Sequence, residues 1–181
     1  IYHEHVFYYS LIALQNLVKK VHLEIYDVEF ISMQGGSLRI FISYPGVYSI
    51  SKRVGKLATK ELHSGFDKLK TYQEMNSRII KLKTTLLTLL KKIKSEQKTV
   101  VAYSAPAKGL ILLNYFGIGN NYLKFIVDKA KEKQGLYTPG VHMSVYPIEK
   151  ILEDQPDYVL ILCWNIADEV MEFLGEYKKK G

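Results

Sequence analysis

Hydrophobic positions along this chain change their spacing twice, and the two changes divide it into three segments. Residues 1–50 begin with apolar side chains at helical spacing, namely Leu11, Leu14, Leu17, Val18 and Val21. Ser10 precedes them and is a residue type that caps helix N-termini. Residues 23–31 and 37–44 are rich in strand-forming residues, and two adjacent glycines between them favour a tight turn. The first segment therefore predicts a short helix followed by a β-hairpin.

Residues 51–96 carry the longest helical pattern of the chain. Their apolar side chains recur at alternating three- and four-residue steps on one stripe: Met75, Ile79, Leu82, Leu86, Leu89 and Ile93. Such a stripe suits either a coiled-coil partner or a helix that packs on its own domain. The stripe lasts for less than four heptads, and this short length favours packing within the domain.

Residues 97–181 alternate between strand and helix patterns. The predicted strands cover residues 98–103, 123–127, 141–145 and 157–162. Helices are predicted at residues 109–116 and 166–177, and a further short helix is predicted to start at Pro147. Strands that alternate with helices form βαβ units and a mostly parallel sheet. The fold class is therefore α/β, with the sheet domain at 97–181 preceded by the helical segment at 51–96.

Composition describes a globular protein with a hydrophobic core. Of the 181 residues, 48% are apolar and 24% are charged. No apolar run approaches the roughly 18 residues that span a bilayer, so we expect no membrane partner. The chain opens with neither an initiator Met nor a signal peptide, which leads us to expect that it starts within a longer gene product. Its single cysteine, Cys163, suits a reducing, cytoplasmic setting and is expected to be a core thiol rather than a nucleophile.

The formal net charge is +7, and much of the excess lies in residues 81–98 and 178–180. A basic balance favours anionic partners such as nucleic acid, anionic lipid or nucleotide phosphates. Basic runs on helices also form solvated faces, and this second interpretation stays open here. The chain contains no recognised motif for reading nucleic acid, so we expect no nucleic-acid partner.

The first candidate for chemistry is the run Tyr2-His3-Glu4-His5. Histidine is the natural general base near neutral pH, and an adjacent carboxylate raises its basicity and fixes its tautomer. Two histidines and a glutamate are also metal ligands, but in an extended segment the first and third residues share a face and the middle one points away, so the three would not converge on one ion. The run could equally be a terminal loop with no catalytic role.

The second candidate is the turn after the first strand of the α/β domain. It offers a hydroxyl at Ser104, a lysine and a glycine at the start of a helix, in the order Ser104, Ala105, Pro106, Ala107, Lys108, Gly109. Backbone N–H groups at a helix N-terminus, with a nearby lysine, suit a phosphate. The turn is neither a Walker A loop nor the GxGxxG fingerprint, and it could be a strand-turn-helix without a ligand.

The third candidate, Cys163-Trp164-Asn165, follows the last predicted strand. Ligands of open α/β sheets lie beyond the carboxyl ends of the strands. Trp164 could stack on a base or sugar there, and Asn165 could hydrogen-bond to one. Alternatively, Trp164 is packed in the core and Asn165 caps the final helix.

Together these segments resemble the C-terminal region of nucleotide-sugar C-methyltransferases, which build branched deoxysugars. The resemblance covers nearly the whole chain and depends on several motifs in a fixed order: Tyr2-His3-Glu4-His5, Gly35-Gly36-Ser37-Leu38-Arg39, Ala105-Pro106-Ala107-Lys108-Gly109, Lys133-Gln134-Gly135 with Pro139-Gly140, and Pro156-Asp157-Tyr158-Val159 leading to Trp164-Asn165. No single motif would carry it.

The resemblance implies a domain organisation. In that family a zinc-binding N-terminal module precedes a Rossmann-type domain that binds S-adenosylmethionine, and a second, Rossmann-like domain follows. Residues 1–50 would be the closing piece of the methyl-donor domain, residues 51–96 linking helices, and residues 97–181 the Rossmann-like C-terminal domain. Neither the cysteine-rich module nor a glycine-rich donor loop occurs in the sequence, so we expect this chain alone not to methylate a substrate.

The resemblance also implies residue roles. The substrate would be a nucleotide-linked 4-keto sugar, typically carried on thymidine diphosphate. His5 would remove the proton next to the ketone, assisted by Glu4, with Tyr2 lining the same pocket. The turn with Ser104 to Gly109, together with Trp164 and Asn165, would contact the substrate. The alternative from another class is a non-catalytic nucleotide-binding or assembly module.

Overall fold

The computed structural model describes residues 6–32 and 36–175. These residues divide into two compact units, one that ends at Ile80 and one that begins at Lys81. Within the described ranges, no helix is both long and apolar enough to cross a membrane.

The first unit contains the predicted helix and hairpin. Helix α1, Leu11–Lys19, is capped by Ser10, whose Oγ accepts a hydrogen bond from Ala13 N at 3.2 Å. Strands β1, Glu24–Ile31, and β2, Ser37–Ser43, pair antiparallel. Helix α2 follows at Lys52–His63. The helix, its cap and the hairpin are confirmed.

The core of the first unit is small and lies on one face of the hairpin. Its buried side chains are Leu11, Val18, Ile25, Val28 and Val54. Residues three apart in a regular strand would face opposite sides, but a register shift between Ile25 and Asp27 places Ile25 and Val28 together. The Glu61 carboxylate on α2 accepts the N–H groups of Leu11 at 2.8 Å and Ile12 at 2.9 Å, so it satisfies free donors at the start of α1.

Helix α3, Leu69–Ser95, is confirmed, but its predicted apolar stripe is partly wrong. Leu82 and Leu89 are 54% and 51% exposed, whereas Leu90 and Ile93 are buried. The step of three or four residues predicts a helix face only to within one position, because 3.6 residues complete a turn. A leucine adjacent to the predicted stripe, Leu90, therefore takes the buried place.

A four-stranded parallel sheet forms the centre of the second unit, with the strand order β5-β4-β3-β6. Its strands are β3, Val100–Tyr103; β4, Ile126–Val127; β5, Val145–Tyr146; and β6, Tyr158–Ile161. Neighbouring residues in β3, such as Val101 and Ala102, are both fully buried, so both faces of the sheet are covered. The α/β fold class and the parallel sheet are confirmed.

Two of the predicted strands are shorter than the sequence indicated. Of the strand predicted at 123–127, only Ile126–Val127 forms a strand, although Lys124 N already donates to Val100 O at 2.9 Å. The strand predicted at 141–145 begins only at Val145. The reason for the second error is a local turn: Thr138 N donates to Met143 O, and Met143 N donates to Thr138 Oγ1, both at 2.9 Å. These bonds close the chain on itself instead of extending the sheet.

The helices of the second unit are α4, Ala107–Phe116; α5, Glu149–Asp154; and α6, Ala167–Phe173. Helix α4 begins before the predicted residue 109, so Ala107 and Lys108 belong to its first turn. Helix α6 begins after a 3-10 turn, Trp164–Ile166, and not at 166. One face of the sheet packs against α5 and α6 through a cluster that includes Val101, Tyr103, Val127, Ile151, Cys163 and Val170.

Candidate functional site

Two of the three candidate segments meet at the carboxyl edge of the parallel sheet. Strands β3 and β6 are neighbours, with Tyr103 opposite Ile161. Leu162 N continues the pairing by donating to Tyr103 O at 3.1 Å. The turn that begins at Ser104 and the segment that begins at Leu162 therefore leave the sheet side by side, where ligands of open α/β sheets lie.

Gly109 brings the first turn of α4 against the end of β6. A methyl group in place of its hydrogen would lie 2.8 Å from Leu162 Cβ and 3.1 Å from Pro106 Cγ. Carbon atoms do not pack at such distances, so only glycine allows this approach. The predicted glycine thus acts through helix packing, and its close contact sets the position of the helix N-terminus.

The N-terminus of α4 carries features that suit an anion. Its N-cap is Pro106, and within the described residues no side chain caps the first turn. Lys108 lies in that turn and is exposed. A helix start leaves N–H groups without intrahelical partners, and its dipole favours negative charge. These groups and the Lys108 ammonium form a positively polarised end to the helix.

Asp128 holds the turn between β3 and α4 in place. It follows β4, is 5% exposed, and its Oδ2 accepts Ala105 N at 2.6 Å and Ser104 Oγ at 3.2 Å. Its other oxygen, Oδ1, accepts Ala130 N at 2.8 Å. Ser104 adopts a φ of 70°, a left-handed conformation that costs free energy for a residue with a side chain. The bonds to Asp128 keep the turn in that conformation.

Lys133 completes this network. Its Nζ lies 3.2 Å from Asp128 Oδ2 and donates to Ala105 O at 3.1 Å. Burial raises the pKa of Asp128, but the N–H groups of Ala105 and Ala130 and the Lys133 ammonium lower it by more, so its pKa lies below the ordinary value. Asp128 is therefore ionised at neutral pH, and its charge is matched by Lys133.

Trp164 and Asn165 are both exposed beside this turn. Trp164 is 57% exposed, which excludes the interpretation of a side chain packed in the core. The interpretation of Asn165 as a helix cap is also wrong: it lies within the 3-10 turn, and the N-cap of α6 is Ile166. An exposed indole at the carboxyl edge of a sheet has a free face on which a base or sugar can stack.

Cys163 is a packing residue, as predicted. It is 7% exposed and belongs to the cluster below α5 and α6. Tyr103, in the same cluster, has a hydroxyl that is buried without a hydrogen-bond partner in the described part of the chain. Burial, followed by the nearby Cys163 and Asp128, raises the pKa of the Tyr103 phenol. The Tyr103 phenol therefore stays protonated at neutral pH and adds no charge to the site.

The predicted catalytic residues His5, Glu4 and Tyr2 lie outside the described residues, so their roles stay predictions. Among residues 6–32 and 36–175, no three His, Cys, Asp or Glu side chains form a group that could hold a metal ion. The turn after β3 also does not fit S-adenosylmethionine: it is not a glycine-rich loop, and its Ala105 N–H is already bonded to Asp128.

Sequence reasoning did not identify Asp128 as a functional residue, although a signal for it exists. A carboxylate that directly follows a predicted parallel strand lies at the sheet edge where ligands bind. Its position after residues 123–127 was visible in the sequence. The contacts it makes with a turn 23 residues away were not, because they depend on the pairing of β3 with β4.

Comparisons with known proteins agree on one family. The family model described as "C-methyltransferase C-terminal domain" matches residues 32–181. The chain is also similar to C-methyltransferase NovU of Streptomyces niveus, with 30% identity over 182 aligned positions. That alignment includes 100% of this chain and 43% of the relative, so the chain spans less than half of the relative's length.

Proposed function

The chain belongs to the C-methyltransferase C-terminal domain family, and from that premise we propose that residues 97–181 bind the nucleotide diphosphate of a keto-deoxysugar. The full-length gene product would be a methyltransferase that transfers a methyl group from S-adenosylmethionine to a carbon of that sugar. Thymidine diphosphate is the proposed carrier. Residues 1–50 would belong to the methyl-donor domain and residues 51–96 would link it to the nucleotide-binding domain.

One structural observation supports the binding proposal most directly. The uncapped start of α4, which carries the exposed Lys108, packs through Gly109 against Leu162 at the end of β6, and the exposed Trp164 follows two residues later. The helix start and Lys108 suit a diphosphate, and the indole suits the adjoining base or sugar. Ser104, Ala105, Pro106 and Gly109 would shape this end of the site, with Asn165 available for a hydrogen bond.

The proposed catalytic step uses the residues near the start of the chain. His5, with Glu4 to orient it and Tyr2 beside it, would take the proton from the carbon next to the sugar ketone. Loss of that proton leaves an enolate, the nucleophile that methylation of a carbon requires. S-adenosylmethionine and the zinc module are assigned to other parts of the gene product, because the turn after β3 is not a glycine-rich loop and the described residues offer no group of three possible metal ligands.

The proposal can be tested by calorimetric titration of the full-length gene product with thymidine diphosphate and, separately, with S-adenosylmethionine. We expect both ligands to bind, and Lys108→Ala to weaken thymidine diphosphate binding about tenfold, the effect of losing one hydrogen bond to a charged group. The affinity for S-adenosylmethionine should not change.

Lys91→Ala is the matched control, because it also removes one exposed lysine charge from the second unit. Lys91 lies near the end of α3, which leads toward the amino end of β3 and away from the carboxyl edge. Equal weakening by both variants would attribute the effect to net charge alone. A protein that binds S-adenosylmethionine but no thymidine diphosphate would contradict the proposed site.

A further inference from the structure

We propose that Lys133 is a positioning residue for the phosphate end of the site, acting through Asp128 and Ala105. This inference rests on the proposed function, because it concerns how the same anion-binding turn keeps its shape and charge. Lys133 lies on a 3-10 turn, Lys131–Lys133, after β4, and it reaches the turn between β3 and α4 from outside.

The turn that Lys133 contacts needs support from other residues. Ser104 holds a left-handed φ of 70° although it carries a side chain. Such a conformation persists only where the surroundings over-determine it. Asp128 supplies two of the bonds that do so, from Ser104 Oγ and from Ala105 N, and Lys133 supplies a third through Ala105 O at 3.1 Å. Ala105 is therefore held at both its N–H and its carbonyl.

Lys133 has a second effect, which is electrostatic. Asp128 is an ionised, buried carboxylate that directly contacts the turn from which α4 starts. An unmatched carboxylate there would repel a diphosphate at the helix N-terminus. The Lys133 ammonium, 3.2 Å from Asp128 Oδ2, neutralises that charge. The aspartate can then serve as a hydrogen-bond acceptor for the turn without opposing the binding of an anion.

Gln134 fixes the segment that carries Lys133. Its side-chain Nε2 donates to the Asp128 carbonyl at 2.9 Å. The backbone of Gly135, at φ 79°, donates to Val145 O at 2.9 Å. The consecutive residues Lys133, Gln134 and Gly135 thus tie the loop after β4 to the sheet and direct the lysine to the turn. The side chain of Lys133 stays 45% exposed, so substitution there does not open the core.

The test is titration of the full-length gene product with thymidine diphosphate and with S-adenosylmethionine. We expect Lys133→Met to weaken thymidine diphosphate binding about tenfold or more and to leave the affinity for S-adenosylmethionine unchanged. Lys133→Arg, which keeps the charge and the donors, should recover most of the loss. Hydrogen exchange should show faster exchange of the Ala105 amide in Lys133→Met than in the wild type.

Lys124→Met is the matched control. Lys124 also pairs with an aspartate of the second unit, Asp154, but its N–H donates to Val100 O at the amino end of the sheet. We expect this variant to bind thymidine diphosphate as the wild type does. If the Lys133→Met protein does not fold, Lys133→Gln takes its place in the comparison, because glutamine keeps a hydrogen-bond donor and loses the charge.

A double-mutant cycle separates a positioning role from direct contact with the ligand. If Lys133 acts through Asp128, Lys133→Met should weaken binding much less in an Asp128→Asn background than in the wild type. Additive losses would overturn the inference, and so would wild-type affinity in Lys133→Met. Both results would leave the proposed function intact. A wild-type protein that binds no thymidine diphosphate would overturn the proposed function and the inference together.

Discussion

At the scale of single residues, two glycines in helices differ in whether a side chain would fit beside them. Gly109 lies in the first turn of α4, where an added methyl group would meet Leu162 Cβ at 2.8 Å. Gly55 lies in α2, is exposed, and has no atom within 4 Å of the same methyl position. The same substitution should therefore have opposite effects at the two sites.

We expect Gly109→Ala to lower the free energy of unfolding by about 1–3 kcal/mol, the typical effect of an overpacked contact. Because the helix start must move away from Leu162, the variant should also bind thymidine diphosphate more weakly. Gly55→Ala should raise the free energy of unfolding by roughly 0.5–1 kcal/mol, because alanine is the better helix former. Chemical unfolding of both variants measures the difference, and a Gly109→Ala protein as stable as the wild type would contradict the close contact.

At the scale of secondary-structure elements, Asp128 connects β4 to the turn between β3 and α4. Its pKa lies below the ordinary value of 3.8 in the folded protein. The ionised form therefore stabilises the fold fully above about pH 4, and this contribution is lost as the pH falls through the folded-state pKa. This stabilisation comes from hydrogen bonds that join the end of β4 to the turn before α4, so it helps to hold the second unit together.

We expect Asp128→Asn to lower the free energy of unfolding at pH 7 by about 1–3 kcal/mol, because bonds to a charged acceptor are lost. The difference from the wild type should shrink as the pH falls below 3.8. Urea unfolding between pH 7 and pH 2.5 measures it. Asp67→Asn, at an exposed loop carboxylate, is the control and should match the wild type throughout. A constant difference at Asp128 would show that its charge does not stabilise the fold.

Elements of this fold differ in how well the sequence predicts them. The Ser10 cap and the hairpin were predictable because local chemistry alone decides them. The strand predicted at 141–145 begins only at Val145, because the Thr138–Met143 turn uses backbone groups that the start of the strand would need. At the site, the turn that begins at Ser104 and the position of Gly109 were visible in the sequence. The contacts of Asp128 and Lys133 were not, because they join segments that only the parallel sheet brings together.

At the scale of the whole molecule, the proposed roles fall on separate parts of the chain. The proposed base, His5, is near the start, and the proposed nucleotide contacts lie in residues 104–165. Proton removal from the sugar carbon and binding of the diphosphate are therefore assigned to different residues. Substitutions in the two parts should affect different kinetic constants. In a non-catalytic nucleotide-binding module, by contrast, only substitutions of the nucleotide contacts would have an effect.

Proton exchange from deuterated water distinguishes these possibilities without methyl transfer. The full-length gene product is incubated with a thymidine diphosphate 4-keto sugar, and deuterium at the carbon next to the ketone is followed by NMR. We expect His5→Asn to slow exchange about 100-fold or more, the usual contribution of a general base, with the affinity for thymidine diphosphate unchanged. Lys108→Ala should instead raise the sugar concentration needed for half-maximal exchange. Exchange at the wild-type rate in His5→Asn would exclude His5 as the base. Because a binding module supplies no base, exchange with the wild type that is no faster than in buffer alone would favour the non-catalytic module.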